Sequence, residues 1–229
     1  MKYEIIGSNM QYLKITLAEG ERIYSDSGKL ISKTDSIKMT PRMVGGVIGT
    51  LERKAVGVSG LLTEFACTKN NGIVSISDVF PGKVFQVKLG DGEEFITEKD
   101  SFLAADDSVK LTIHAMNLGM MMFGGEGIIF QKFVGPGNLF IHVVGDIIEH
   151  DIDGANSVQV EPRHIAGFSP SLQYNIKLVD NIKTAMFGGV GIFLVNFSGT
   201  GRLVTHSVSR YKLITEIMSL GMKQQKSKQ

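Results

Sequence analysis

The chain has 229 residues, and its 24 basic and 23 acidic side chains leave a formal net charge of +1. This balance provides no positive surface for a polyanion, which disfavours binding to RNA or DNA. A single cysteine, Cys67, excludes an intramolecular disulfide and the zinc motifs that need paired cysteines, so we expect a reducing, cytoplasmic location.

The first residues predict no secretion signal, because Lys2 and Glu4 interrupt the chain before any apolar run reaches the required length. Alternating apolar and polar residues then follow in several segments, and this period of two is typical of half-buried strands. The apolar positions of three such segments are Phe85, Val87 and Leu89; Val109, Leu111 and Ile113; and Leu172, Tyr174, Ile176 and Leu178.

Pairs of turn-forming residues separate these segments and favour tight antiparallel connections. They are Asn71-Gly72, Pro81-Gly82, Asp91-Gly92, Pro136-Gly137 and Asp153-Gly154. The chain is therefore predicted to be all-β, with repeated antiparallel units that form a sandwich or a barrel-like stack.

Residues 122–146 repeat as residues 186–210, with twelve identities in twenty-five positions where roughly one or two are expected from composition. Glycines and large apolar residues dominate the matches, which also pair Phe133 with Phe197 and His142 with His206. A third, more diverged copy lies upstream, where Phe65 corresponds to the two later phenylalanines. We predict one β-body over residues 1–210, made of three repeats at about 1–90, 91–152 and 153–210.

A short terminal helix is predicted from Tyr211 to Met222, because apolar residues recur on one face of that segment. We expect it to pack on the β-body or on a neighbouring subunit, before a polar tail that ends at residue 229. Three lysines in this tail leave a contact with acidic lipid or nucleic acid open, although such a tail is usually solvated. The uncharged stretch 184–201 contains five glycines, and we interpret it as buried strand and turn rather than a membrane span.

The glycine clusters of the repeat are the most conspicuous motif, and they suggest either a phosphate-binding loop or a structural turn. They comprise Gly124, Gly125 and Gly127 in one copy and Gly188, Gly189 and Gly191 in the other. A phosphate loop requires a following Lys-Ser or Lys-Thr pair, or a strand-to-helix transition, and neither is present. We favour a structural or interface motif that recurs in each unit.

The five histidines form no close ligand pair of the kind that marks a metal site in a β-protein. His142 and His206 occupy equivalent repeat positions, so they could face each other and bind a metal. The interpretation we favour is that each is a half-exposed strand residue.

For the other candidate groups, a structural role is a simpler explanation than a catalytic or metal-binding role. Asp106 and Asp107 are adjacent, so a strand would direct them to opposite faces. The acidic stretch Glu149–Gly154 lacks the spacing of a calcium loop and is interpreted as a solvated hairpin tip. Cys67 is predicted to be a buried, inert thiol. Gly57-Val58-Ser59-Gly60 is one residue short of a serine-nucleophile motif, and Met116, Met120, Met121, Met122 and Phe123 form an apolar patch that suits a core or subunit interface.

The glycine motif in its two copies, together with Pro81-Gly82-Lys83 and Ser101-Phe102-Leu103-Ala104, resembles the family related to altered inheritance of mitochondria protein 24. The resemblance covers nearly the whole chain, with a departure around residues 42–60. It implies a fold similar to that of the tryptophan RNA-binding attenuation protein, with ring-like, trimeric association. It implies no catalytic residues, and for the mitochondrial relatives it suggests a role in membrane organisation and respiratory-complex integrity.

These observations leave three hypotheses for the function of the chain. The first is a non-enzymatic, homo-oligomeric scaffold or binding protein, trimeric and without a cofactor. The second is an RNA-binding ring, which rests on analogy of fold and conflicts with the balanced charge. The third is a small-ligand or metal-binding protein or enzyme, whose site at a subunit boundary would use a histidine of the repeat.

Overall fold

The computed structural model describes residues 1–43, 61–114, 129–178 and 193–226. Regular structure in this part of the chain is almost entirely antiparallel β-sheet, followed by one C-terminal α-helix. The predicted all-β class is therefore confirmed. Several sequence candidates lie outside the described residues, namely Gly124, Gly125, Gly127, Gly188, Gly189, Gly191, the segment 57–60 and the methionine-rich patch.

The described strands form three sheets. The first contains, in spatial order, β1 (Lys2–Ile6), β2 (Tyr12–Leu17), β7 (Gly72–Ile76) and β4 (Leu30–Lys33). The second contains β5 (Ile37–Met43), β6 (Leu61–Cys67), β3 (Arg22–Asp26), β10 (Phe102–Asp106), β13 (Gly137–Val144) and β8 (Gly82–Leu89).

The third sheet contains β11 (Lys110–His114), β12 (Phe130–Val134), β9 (Glu94–Glu98), β16 (Ile165–Phe168), β18 (Phe193–His206) and β14 (Ile147–Asp153). The first half of β18 also pairs with β15 (Val158–Val160) and β17 (Leu172–Leu178). Short 3-10 turns precede β10 and β16, at Lys99–Ser101 and Pro162–His164.

Side-chain alternation explains how these strands build the core. In β2, Leu13, Ile15 and Leu17 are fully buried, whereas the residues between them stay partly exposed. In β5, Pro41 lies on an edge strand, the position where a sheet tolerates a residue without an N–H group. The apolar residues therefore face inward, and the sheet edge accepts the proline.

Three strand pairs share one register around a buried phenylalanine. Phe65, Phe133 and Phe197 are each at most 1% exposed, and they lie opposite Met39, Leu111 and Tyr174, respectively. Each phenylalanine strand also has a second partner, β3, β9 or β15. A repeated structural unit would produce this shared arrangement.

Four of the five predicted turn pairs divide into two groups. Gly92 and Gly154 have φ angles of +70° and +90°, the left-handed conformation expected of glycine in a turn. Gly72 and Gly82 instead begin strands β7 and β8. For Gly82 the reason is close packing rather than backbone conformation, because its neighbours leave no room for a side chain.

The terminal helix α1 extends from Arg210 to Lys226, so the prediction placed it correctly but made it too short at both ends. The carbonyl of Ser209 accepts a hydrogen bond from the Leu213 amide at 3.0 Å, which starts the helix. Over the described residues, no helix combines the length and apolar character needed to cross a bilayer.

Candidate functional site

A buried polar cluster lies where β13, β18, the turn before β10 and the first residue of α1 meet. We define it by six residues: Asp78, Glu98, Ser101, His142, His206 and Arg210. Two segments that carry the family resemblance reach this cluster, since Ser101 bonds to one histidine and Gly82 packs against the other.

His206 ends β18 and is only 5% exposed. Its Nδ1 atom lies 2.9 Å from the amide nitrogen of Val144, and its Nε2 atom lies 3.2 Å from the hydroxyl of Ser101. An amide N–H can only donate, so Nδ1 must accept, and the proton of the neutral ring is on Nε2. The ring therefore donates a hydrogen bond to Ser101.

Ser101 in turn donates a hydrogen bond to Glu98. The serine Oγ atom lies 3.3 Å from Glu98 Oε2, which also accepts a 2.9 Å hydrogen bond from the Asp100 amide. Burial, followed by the charge of Asp100, raises the pKa of Glu98 to about 8. The chain of donors thus runs from His206 through Ser101 to Glu98.

This direction is opposite to that of a catalytic serine. A nucleophilic serine must donate its proton to an imidazole nitrogen, and a carboxylate normally orients the other nitrogen of the same ring. Here the imidazole donates to the serine, the carboxyl group contacts the serine, and Ser101 is fully buried. The geometry supports a structural role for these three groups.

Protonation of His206 conflicts with its surroundings. A second ring proton would face the Val144 N–H group, so a hydrogen bond would become a contact between two donors. Burial and the nearby Arg210 lower the pKa of His206 to about 3. His164 adds a hydrogen bond to the backbone of the same residue, because its Nδ1 atom donates to the His206 carbonyl oxygen at 2.7 Å.

His142, on β13, is completely buried, and neither ring nitrogen has a hydrogen-bond partner within the described part of the chain. Burial lowers its pKa to about 4. A Cβ atom on Gly82 would lie 2.8 Å from the imidazole Cε1 and would also collide with the Val143 carbonyl oxygen. Only glycine fits there without displacing the histidine.

The expectation that His142 and His206 are half-exposed is therefore wrong. Strand β13 has sheet partners on both sides and buried residues on both faces, so its polar residue has no route to water. Among the residues that the structure describes, no three metal-ligand side chains are grouped closely enough to hold a metal ion.

Asp78 connects the body to the start of α1. Its fully buried carboxylate pairs with Lys29 and with Arg210 Nη2, the latter at 3.2 Å. Burial acts to raise the pKa of Asp78, but the charges of Arg210 and Lys29 outweigh it and lower the pKa to about 2. Arg210 also donates to the Asp100 carbonyl at 3.1 Å and lies 4.8 Å from the centre of the Phe80 ring.

The adjacent acids Asp106 and Asp107 separate as predicted. Asp106 is 6% exposed, bonds the Tyr3 hydroxyl, and accepts 2.8 Å hydrogen bonds from both the backbone and the side chain of Asn138. Burial and Asp106 together raise the pKa of Tyr3. Asp107 is exposed and pairs with Arg42. The two carboxylates do not form one site.

The structure also locates two other sequence candidates, Cys67 and the acidic stretch Glu149–Gly154. Cys67 is buried, as predicted, and its thiol lies 3.5 Å from the Asn70 carbonyl oxygen. The acidic stretch is not a hairpin tip, since Glu149 and Asp151 lie within the edge strand β14. Gly154 alone belongs to the turn that follows.

Sequence reasoning missed most of the polar cluster. Asp78, Glu98 and Arg210 come from separate segments, and no local spacing connects them. A usable signal existed for His142, because it interrupts the otherwise apolar run of residues 139–144, which is typical of a strand buried on both faces.

Comparison with known proteins agrees with this architecture. A family model described as mitochondrial biogenesis AIM24 matches residues 3–208. An uncharacterised protein of Streptococcus pyogenes serotype M6 is 24% identical over 213 residues, which cover 89% of this chain and 85% of that protein. An X-ray crystal structure of a Streptococcus pyogenes protein aligns with a TM-score of 0.76 and 20% identity, covering 96% of this chain and 99% of the other, and shows the same fold.

Proposed function

This chain belongs to the mitochondrial biogenesis AIM24 family, and on that premise we propose that it is a non-enzymatic scaffold or binding protein that works as a homo-oligomer. The observation that carries the proposal is the uncovered apolar face of α1. Tyr211, Ile214, Ile217, Met218 and Leu220 are between 40% and 61% exposed. A contiguous apolar stripe of this kind marks an interaction surface.

The helix itself needs such a partner. Most helical stability in proteins comes from packing an apolar face rather than from intrinsic helix propensity. The first turn is tied to the body through Arg210, but the following turns leave their apolar side chains in solvent. Association with another molecule would cover them.

The polar cluster supports a structural rather than a chemical role. Its serine, histidine and carboxyl groups are fixed by hydrogen bonds that run in the direction opposite to that of nucleophilic catalysis. Their effect is to join β13, β18 and the turn before β10 to the base of α1. A rigid body of this kind suits a protein that holds partners in place.

We propose a trimer as the assembly. The shared register around Phe65, Phe133 and Phe197 supports a body of three repeated units, and the resemblance to ring-forming β-proteins favours trimeric association.

Multi-angle light scattering during size-exclusion chromatography, at about 10 μM protein, tests the proposal. We expect a mass near three times 24.9 kDa. A mass of one chain, unchanged as the loading concentration rises tenfold, would contradict the homo-oligomer.

A further inference from the structure

The C-terminal segment and the β-body carry opposite charge. Residues 210–229 contain five basic side chains and one acidic side chain, Glu216, so their net charge is +4. The remaining 19 basic and 22 acidic side chains give residues 1–209 a net charge of −3. The near-neutral net charge of the whole chain is therefore the sum of a basic C-terminal segment and an acidic body.

Helix α1 also separates polar from apolar residues around its axis. At 100° per residue, Lys212, Thr215, Glu216 and Ser219 share one side, while Tyr211, Ile214, Ile217 and Met218 share another. Three contacts hold the first turn to the body. Arg210 bonds to Asp78, and the guanidinium of Arg163 lies 3.6 Å from the centre of the Tyr211 ring. The ammonium group of Lys212 lies 3.8 Å from the Glu161 carboxylate.

These contacts fix the base of the helix and leave the apolar side chains of the next turns exposed. Ile217 is 58% exposed and Met218 is 61% exposed. Within residues 1–43, 61–114, 129–178 and 193–209, the body therefore does not cover this face.

From the charges and this geometry we infer that α1 of one copy docks, apolar face inward, on the β-body of a neighbouring copy. Two α1 helices side by side would repel, since their four basic side chains and one acidic side chain give each a net charge of +3. A basic helix on an acidic body is attractive, and the apolar stripe supplies the area to be buried. The inference rests on the proposed homo-oligomer and states how its copies meet.

Such a contact is heterologous, because a helix of one copy meets a body of the next. Contacts of this type generate closed rings when the rotation between copies closes, whereas pairing of like surfaces produces dimers. The edge strand β14 carries three exposed acids, Glu149, Asp151 and Asp153, and its Ile148 is 43% exposed. Arg202 of the adjacent strand β18 offsets part of this charge, at 3.9 Å from Glu149 and 3.7 Å from Asp151. We expect the neighbouring helix to contact this edge.

Two matched double variants test the role of the apolar face. I217Q/M218Q replaces two exposed apolar side chains with glutamine, a good helix former. T215Q/S219Q introduces the same residue twice on the polar side of the same helix. We expect I217Q/M218Q to raise the concentration of half-dissociation at least about tenfold, and T215Q/S219Q to change it less than about twofold.

Hydrogen exchange of the α1 peptides, measured on both variants as isolated monomers at high dilution, verifies that the helix is equally formed in each. Carbodiimide cross-linking of a mixture of ¹⁴N- and ¹⁵N-labelled wild-type protein then locates the contact without any mutation. We expect cross-links between a lysine of residues 210–229 in one isotope and a carboxylate of β14 in the other.

The outcomes separate this inference from the proposed function. A wild-type protein that is oligomeric, but is equally oligomeric as I217Q/M218Q or lacks cross-links between α1 and a neighbouring body, would overturn the docking inference alone. A wild-type protein that is monomeric at all concentrations would overturn both. A monomer whose α1 binds vesicles of phosphatidylglycerol would assign the apolar face to a lipid surface instead.

Discussion

The folded protein is expected to lose stability on acidification from pH 6.5 to 5.0, because His142 and His206 are held neutral in its interior. Their pKa values are about 4 and 3 in the folded chain, against an ordinary value of 6.5. Between these values the unfolded chain binds two more protons, so falling pH favours unfolding. At 1.36 kcal/mol per pH unit for a full proton, and with each unfolded histidine half protonated at pH 6.5, this interval removes up to about 2 kcal/mol for each histidine.

Glu98 acts in the opposite direction. Its pKa is about 8 in the folded chain, against an ordinary value of 4.5, so between these values the folded chain binds one more proton. Acidification from pH 6.5 to 5.0 therefore restores up to about 2 kcal/mol, and the net loss is about 1 to 3 kcal/mol. From pH 6.5 to 8.0, Glu98 alone in the cluster lowers stability, by at most about 2 kcal/mol because the residue keeps some contact with water.

Urea unfolding at fixed protein concentration, in half-unit steps from pH 5.0 to 8.0, measures this profile. The wild-type free energy of unfolding is expected to be greatest near pH 6.5. His142→Leu should make the acid limb shallower, because one titrating group is removed, and Glu98→Gln should flatten the alkaline limb. Stability that stays constant or rises between pH 6.5 and 5.0 in the wild type would refute the assignment of two buried neutral histidines.

Three substitutions test the packing of the cluster, each by the midpoint of urea unfolding at pH 7. Gly82→Ala should cost about 1 to 3 kcal/mol, because its new methyl group collides with the Val143 carbonyl oxygen and the His142 imidazole. Gly221→Ala is the control, and it should be neutral or stabilising because nothing lies within 4 Å of the added methyl group. Equal effects of the two substitutions would refute the steric explanation. Ser101→Ala should cost about 1 to 3 kcal/mol, because a buried N–H donor loses its acceptor, and an unchanged midpoint would show that the hydroxyl is not needed. Asp78→Asn should cost about 3 to 5 kcal/mol, because its buried carboxylate is the counter-charge of Lys29 and Arg210, whose side chains are only 11% and 19% exposed. The exposed Asp35→Asn should leave the midpoint almost unchanged, and similar losses for the two variants would contradict the buried ion pair.

The sequence was informative wherever a local pattern determines structure. Alternation predicted β8, β11 and β17, since a strand with one buried face must alternate. The internal repeat singled out three phenylalanines, and all of them are buried. The 3.6-residue spacing of apolar residues placed α1 correctly, although its ends differ by one and four residues because helix ends depend on capping rather than periodicity.

The candidate site was harder to predict because its members meet only in three dimensions. Asp78 follows β7, Ser101 precedes β10 and Arg210 begins α1, so no spacing in the chain brings them together. The burial of His142 depends on elements packed against both faces of β13. Pairing a polar residue with its partners requires the tertiary fold, whereas placing it on a strand does not.

Native mass spectrometry of gently purified protein at micromolar concentration measures directly whether copies of this chain associate. We expect a dominant species with three times the mass of the 24.9 kDa chain. A spectrum that contains only the 24.9 kDa species under the same conditions would contradict it.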